Sequence, residues 1–439
     1  MMKSKTREIY KDNFADYLLC LALDVGEGML KNGGEVGRVE DTIERICRAY
    51  GAQHVEVFTI VSMITAAVRM PDGSYSSQLR RVKQTGNDLG MLESLNALSR
   101  EICRTTPELD LVDQRIREMK RSRQYPVWLS LLASATGAAA FCLFFGGDFL
   151  DALVTFGIGA LIYCITNFSS KRISAMARTV VSSFVASLIA ALLSLAIPTL
   201  GVDYIIIGAI MLLVPGLMFG TAMRDIFCGD LIAGTLKILQ VLLQTVIIGF
   251  GYMLSYSILG DTLISAVESE SVYFVAMQFV TAAITSVAFA LVFRTNKRHL
   301  WAVLFAGIIT FAVYFLVCTL TNDSLFWAAF LSSAVAAIFS EVNARVRKAP
   351  SLVVLMPAVI SIVPGGYLYR AVRDFVKGEP SGGLSNLGSA GAIALGLAGG
   401  IVAATIVFGI AHDVLKKIKK TKKASAVNEN KENKEYCLK

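Results

Sequence analysis

The segment VPGLMFGTAMRDIFCGD (Val214–Asp230) returns as VPGGYLYRAVRDFVKGE (Val363–Glu379), aligned without a gap at an offset of 149 residues, from position 214 to position 363. Val, Pro, Gly, Ala, Arg, Asp and Gly recur at the same places, and an acidic residue closes each copy. Both copies lie where an apolar run gives way to polar sequence. A repeat of this kind organises the whole fold, so it is read first. Proline removes a backbone hydrogen bond and glycine relaxes the turn, so Pro215-Gly216 and Pro364-Gly365 each read as a break in a helix.

The surrounding sequence is apolar. Of 439 residues 54% are hydrophobic and 17% charged, against about 25% charged in soluble domains. A bilayer needs about 20 apolar residues per helix. By that rule spans fall near 127–145, 150–168, 173–197, 202–219 and 231–258, then 272–293, 300–320, 325–342, 351–369 and 388–411. The reading is a polytopic α-helical membrane protein of ten transmembrane helices in an inverted 5+5 repeat, preceded by an N-terminal α+β soluble domain. Its parts are a cytoplasmic α+β domain (1–125), a first five-span repeat (126–260), a second (271–415) and a basic cytoplasmic tail (416–439).

Loop charges set the orientation through the excess of Lys and Arg on the inner side. With residue 125 inside, the inner loops carry Lys171 and Arg172, then Arg294, Lys297 and Arg298, then Arg345, Arg347 and Lys348. The outer loops at 146–149, 198–201, 259–271 and 321–324 hold no Lys or Arg, and the tail KKIKKTKK (416–423) returns inside. One loop disobeys: 370–387, with Arg370, Arg373 and Lys377, is placed outside. Five spans per repeat turn the copies to opposite sides, the first towards the cytoplasm and the second outwards. Inverted repeats with interrupted helices are a recurring plan of secondary transporters. The cell membrane, with both termini cytoplasmic, is the expected location.

Composition also excludes readings. The net charge of +8 is accounted for at membrane boundaries, and no basic, aromatic-interleaved surface points to nucleic acid. The eight cysteines make no C-x-x-C pair, and the three histidines are far apart, so no metal site, cofactor or structural disulfide is expected. The first residues, MMKSKTREIYKDNF, lack an apolar signal core.

Within residues 1–125 a helix is expected over Asp12–Lys31, stopped by Asn32-Gly33-Gly34, and a second carrying the stripe Val36, Val39, Ile43, Ile46 and Tyr50 up to Gly51. Val55–Met70 is β-rich, Pro71-Asp72-Gly73 is a turn, and a strand follows over Tyr75–Val82. Helix resumes at Asp88, and Thr106-Pro107 is a helix start. Two features invite chemistry. Gly26-Glu27-Gly28 with Gly33-Gly34 resembles a phosphate loop, but no strand precedes it. Glu40 and Glu44, one turn apart, fit an acid/base pair, while a solvated face with Arg48 as partner fits the ordinary i,i+4 pattern better. A membrane-anchored enzyme with its chemistry here is the rival of another class.

The chain resembles the threonine/serine exporter (ThrE) family. The residues that carry the resemblance are GGEVGRVEDTIERICRAYGA (33–52) and the β-rich stretch after it, PGLMFGTAMRDIFCGDLIAG (215–234) and MPAVISIVPGGYLYRAV (356–372). It implies an N-terminal cytoplasmic domain, two five-span halves and energy-coupled export of small amino acids. In similar proteins the halves also occur as separate chains, associated with export of a dicarboxylate, succinate.

The family supplies no site residues, so the candidates come from the chemistry. They are the breaks Pro215, Gly216, Pro364 and Gly365 with the pairs Arg224/Asp225 and Arg373/Asp374. A carboxylate paired with arginine can release it to a substrate carboxylate or take up a proton. Glu341 is a second proton candidate, with a pair to Arg345 as the structural alternative. Gln240 and Gln244, one turn apart within a span, line a polar path or tie helices together. The expected partners are a small amino-acid or carboxylate substrate, protons and the lipid bilayer; a homo-oligomer stays open.

Overall fold

A computed structural model describes residues 13–83, 86–121, 125–169, 172–259 and 273–436, with most side chains through Ile410. Asp12, Arg123, Lys171 and most of the loop 259–271 lie outside the described residues, as do the side chains of the basic tail.

The N-terminal part is built on α1 (Phe14–Lys31). Asn13 caps it: its Oδ1 accepts from the Ala15 N–H at 3.0 Å. Asn32 ends it, and Gly33 follows at φ 86°. α2 (Val36–Ala49) buries Val36, Val39, Ile43 and Ile46, the stripe that its spacing dictates. Its other face carries Glu44–Arg48 (2.6 Å) and Asp41–Arg45 (2.7 Å). Strands β1 (His54–Ile60), β2 (Met63–Arg69) and β3 (Tyr75–Arg81) form an antiparallel sheet in that order, with Val57 opposite Ala66 and Ala66 opposite Gln78. At the β2–β3 turn Asp72 Oδ1 accepts from the Ser74 N–H, and Gly73 takes φ 87°. The buried face, with Ile64, Ala66 and Val68, packs on α1. α3 (Leu89–Thr105) is capped by Asp88, and α4 (Leu109–Arg121) completes this part.

Two expectations change here. Thr106-Pro107 is not the helix start. Tyr50 donates to the Pro107 carbonyl, Thr106 turns at φ 39°, and the first turn forms on the Glu108 carbonyl, which accepts from Leu111 and Val112. Gly26-Glu27-Gly28 is no phosphate loop either. It lies inside α1, where a Cβ on Gly26 would stand 2.5 Å from Ile43 Cδ1 and one on Gly28 2.6 Å from Leu95 Cδ1. The glycines let α2 and α3 approach α1, and Glu27 is taken by Lys31.

From residue 127 the chain is helical. The order is α5 (Val127–Phe144), α6 (Phe149–Phe168), α7 (Ala175–Ala196), α8 (Val202–Ile210), α9 (Gly216–Cys228) and α10 (Leu231–Leu259). The same series follows as α11 (Tyr273–Val292), α12 (Leu300–Leu320), α13 (Leu325–Arg347), α14 (Leu352–Val359, prolonged by a 3-10 turn Ile360–Ile362), α15 (Gly365–Lys377) and α16 (Pro380–Tyr436). Among the described residues eight helices are long and apolar enough to cross a membrane, and nine if α14 and α15, bent by 42°, count as one. The protein is therefore a polytopic helical membrane protein. Leu153, Val246, Trp301 and Leu320 lie exposed on these helices, as a hydrocarbon solvent permits and water does not. The segments expected at 202–219 and 351–369 are not continuous helices; each is broken at its Pro-Gly. The last span starts at Pro380 rather than 388, because proline suits a first helical position and Gly378 in the left-handed conformation has just ended α15.

Equivalent helices meet: α5 packs on α11 with Phe141 edge-on to Phe289 at 5.4 Å. Small residues bring backbones close, as bilayer packing favours. A Cβ on Gly208 of α8 would lie 2.8 Å from both the Ala138 carbonyl oxygen and the Cys142 nitrogen of α5. Backbone cannot swing aside as a side chain can. Gly208→Ala is therefore expected to cost about 1–3 kcal/mol through overpacking, seen as a lower midpoint of thermal unfolding in detergent. Gly157→Ala, which lies inside α6 and meets nothing within 4 Å, is the control and should keep that midpoint or raise it slightly, since alanine favours a helix over glycine.

Candidate functional site

The two breaks are built alike. The Val214 and Val363 carbonyls accept from Gly216 and Gly365 at 2.8 Å, and the Pro215 and Pro364 carbonyls accept from Phe219 and Leu368 at 3.0 Å to start α9 and α15. Both helices end on a left-handed glycine, Gly229 or Gly378. The next acidic residue donates its N–H back to the Asp225 or Asp374 carbonyl, at 2.9 and 2.8 Å.

The breaks also lock into each other. A Cβ on Gly216 would stand 3.1 Å from Ile360 and 3.6 Å from Val363; one on Gly365 would stand 2.6 Å from Met211 and 3.1 Å from Val214. Subtracting 149 from 360 and 363 gives 211 and 214. Each break thus touches in the other copy what the other touches in it, the self-complementary contact of a two-fold relation. Pro215, Gly216, Pro364 and Gly365 are brought together.

The charged residues divide differently from the expected pairs. Arg224 and Asp225 do not bond to each other. Asp225, 1% exposed, accepts from Lys237 Nζ at 2.5 Å and from the Val36 N–H at 3.3 Å. Arg224 Nη1 lies 2.7 Å from Glu35 Oε1, a charge contact rather than an aligned hydrogen bond, since Glu35 Oε1 has no hydrogen-bond partner. In the second copy the expected pair holds: Arg373 donates to Asp374 Oδ1 at 3.0 Å. Arg373 also reaches back to Asp203 of α8 at 2.9 Å, and Asn386 Nδ2 donates to Asp374 Oδ2 at 2.7 Å. Asn386 is the repeat partner of Lys237 (386 less 149), so both aspartates are held from the same place on the following helix.

Asp203 and Glu35 carry a further asymmetry. The repeat partner of Asp203 is Leu352 (203 plus 149), which offers Arg224 no carboxylate. Glu35, at the N-cap of α2, supplies it instead. Sequence reasoning missed Asp203, Glu35 and Lys237, although Lys237 was legible as a lone charge inside an apolar span. More contacts tie the N-terminal part to the membrane helices. Arg294 reaches Asp88 at 3.2 Å, Arg298 and His299 reach Glu93, and Arg100 donates to the Lys348 carbonyl at 2.5 Å.

Other candidates lie apart. Gln244 Nε2 donates to the Leu213 carbonyl at 3.0 Å, satisfying a group freed by the first break. Gln240 is exposed on the outer face of α10, so the two glutamines do not share a path. Glu341 has no ion-pair partner among the described residues. The alternative pair to Arg345 does not form, because that guanidinium lies 4.8 Å over the Phe408 ring. Glu40 and Glu44 are no acid/base pair: Glu40 accepts from the Thr59 N–H at 2.7 Å and Glu44 holds Arg48.

Two cavities flank the breaks. One, of about 250 Å³, is lined by Phe144, Gln278, Tyr314, Ser361, Gly366 and Arg370 among others. The second, of about 150 Å³, is lined by Ser134, Ile162, Thr166, Asn167, Leu212 and Arg294. Ile162, Thr166 and Leu212 are the repeat partners of Phe311, Phe315 and Ser361 in the first, so the cavities correspond.

Comparison with known proteins matches this architecture to one family. A family described as "Putative threonine/serine exporter" covers residues 20–259, more than half of the chain, and a companion described as "Threonine/Serine exporter, ThrE" covers 278–407. The chain belongs to the threonine/serine exporter family. It is 23% identical over 399 residues to the threonine/serine exporter of Corynebacterium glutamicum, covering 87% of this chain and 80% of that one. It is 25% identical over 243 residues to the probable succinate transporter subunit YjjP of Escherichia coli, covering 55% of this chain and 94% of that one. Pheromone-regulated membrane protein 10 of Pichia sorbitophila is 23% identical over 329 residues, and the chain spans 32% of its length. No solved structure matches. In this chain the family segments 33–52 and 215–234 are those that meet, through Glu35–Arg224 and Val36–Asp225.

Two outcomes follow from the ion pairs. Lys237→Met leaves Asp225 buried without its cation, which costs about 3–5 kcal/mol, whereas Asp225→Asn with Lys237→Met removes both charges and should recover most of that loss; thermal unfolding of the three proteins checks it. Burial raises the Glu93 carboxyl, but hydrogen bonds and charge from His299 and Arg298 outweigh this and hold it below its usual value. A folded-state value lowered in this way stabilises docking fully above about pH 4.5 and loses that contribution as pH falls through the lowered value. Hydrogen-exchange protection at residues 88–93, corrected for the intrinsic pH dependence of amide exchange, should therefore be high at neutral pH and fall on acidification, and Glu93→Gln should show low protection at both.

Proposed function

We propose that the chain is a secondary active exporter of small amino acids, threonine and serine, coupled to the proton motive force and working by alternating access between two inverted halves. The single observation that carries this reading is the reciprocal contact of the two Pro-Gly breaks. Interrupted helices that cross at a two-fold contact give a substrate a place where backbone groups stand free of a helix, and transporters bind there. In this proposal residues 1–125 are a cytoplasmic domain, 126–260 and 271–415 are five-span halves making ten spans in the plasma membrane, and the tail from 416 is cytoplasmic. Asp225 and Asp374 are the proton-handling carboxylates. They are buried, equivalent under the repeat, and each is held by a group that can be exchanged.

The energetics suffice. One net charge moved through ~150 mV yields about 3.5 kcal/mol, enough for about a 350-fold gradient at ~1.4 kcal/mol per tenfold. A second reading, export of a dicarboxylate such as succinate, is favoured by the Escherichia coli relative that matches the first part of the chain. An anchored enzyme has no comparable support, since the family is one of transporters.

Efflux of radiolabelled threonine, serine and succinate from vesicles loaded with each decides the substrate. Collapsing the proton gradient is expected to abolish uphill efflux, and unchanged efflux would remove proton coupling from the proposal. Asp225→Asn and Asp374→Asn are each expected to cut transport while the protein still inserts. Wild-type efflux from both would make these residues structural only.

A further inference from the structure

Of the two corresponding cavities, only the larger holds a cation without a counter-ion. Arg370 lines it, one face of the guanidinium set 6.0 Å from the Tyr367 ring, and no carboxylate among the described residues lies within ion-pair distance of it. Of the other basic residues around the breaks, Arg224 is held by Glu35, Lys237 by Asp225, and Arg373 by Asp203 and Asp374, while Lys377 stands at the far end of α15 and does not line the cavity. The smaller cavity also has an arginine, Arg294, but Asp88 holds it. The repeat partner of Arg370 is Thr221 (370 less 149), so this charge belongs to the second copy alone.

A second, independent feature faces the same space. Ser361, 7% exposed, lines the larger cavity, and its buried hydroxyl oxygen has no hydrogen-bond partner. A buried hydroxyl left unmatched is costly, and a ligand oxygen in the cavity would match it. The 3-10 turn that contains Ser361 ends at Ile362, and terminal carbonyls have no partner within their own helix. Across the break, Gly366 in the first turn of α15 lines the same cavity, where N–H groups and the positive end of the helix dipole favour an anion. The rest of the lining is largely aromatic and aliphatic, including Phe144, Phe311, Phe315 and Ile362, with Gln278 as a further uncharged polar side chain.

We propose that this cavity is the substrate site and that it takes the α-carboxylate of a small monocarboxylic amino acid on Arg370 and the Ser361 hydroxyl. The proposal rests on the exporter reading above and sharpens it. One unpaired cation matches one carboxylate. The second carboxylate of a dicarboxylate would find no second cation in this lining, and a charge taken from water without a partner is costly. The ammonium group is served by the carbonyl end of the 3-10 turn.

The test is threonine efflux by the purified, reconstituted full chain, with threonine amide and succinate as competitors. Arg370→Gln is expected to raise the KM for threonine by about tenfold to a hundredfold, the loss of a charge-assisted hydrogen bond. Arg370→Lys should recover part of that, and Ser361→Ala should give a smaller rise in KM with kcat kept. Threonine amide, which lacks the carboxylate, and succinate should both compete poorly against wild type. Wild-type KM in Arg370→Gln, or effective competition by the amide, would overturn the carboxylate site while leaving amino-acid export in place. A wild-type protein that exports no amino acid would instead overturn the exporter reading, and this site with it. Thermal unfolding of each variant separates lost binding from lost structure; should Arg370→Gln not fold, Ser361→Ala and the amide carry the same decision.

Discussion

Two segments, each interrupted by a proline and a glycine, press against one another at the centre of this protein, and that contact constrains everything around it. Gly216 and Gly365 must stay small because each faces the valine and the longer apolar side chain that precede the opposite break. Proline sets where the helices stop, and glycine sets how closely the two stops approach. The interruption leaves backbone groups without helical partners at a depth where water is scarce, so they must be buried in protein or line a cavity. Both happen here. Gln244 covers one carbonyl, and Leu212 on one side and Ser361 to Val363 on the other line cavities.

The charges around the breaks are arranged by the same repeat and then made unequal. Asp225 and Asp374 are each held from one position on the next helix, by a lysine in one copy and an asparagine in the other. Arg373 finds Asp203 within the membrane helices, whereas Arg224 must borrow Glu35 from the N-terminal part. A structure with true symmetry would treat its two sides alike. Here one side is joined to a folded α+β layer and the other holds an arginine without an ion-pair partner among the described residues, so the halves have different work to do in the proposed cycle.

Much of this was legible in the residues. The stripe of α2, the β2–β3 turn and the interrupted helices followed from spacing, because hydrophobic period and turn chemistry are local properties. The site was legible only in part. Pro-Gly and Arg-Asp stood out because they recur, but recurrence could not say which carboxylate each arginine meets. Glu35 lies 189 residues before Arg224, and no pattern in either segment announces the contact. Arg370 was visible as a breach of the inside-positive charge rule, yet its value as a free cation depends on which neighbours are already taken. That is settled by packing alone. Pro107 shows the same limit on a small scale, since a distant tyrosine binds its carbonyl and the first turn forms on Glu108 instead.

The clasp of α3 on the start of α12 has a consequence in time. Glu93 meets Arg298 and His299, which lie 205 and 206 residues further along the chain. At a synthesis rate of about 5–20 residues per second, some 10–40 seconds separate the appearance of the two partners at the ribosome. Through that interval the first helices are already emerging with the acidic side of the clasp unmet. The N-terminal layer therefore stays undocked at Glu93 until the second half arrives, and assembly of the two halves is reported at the surface of the first.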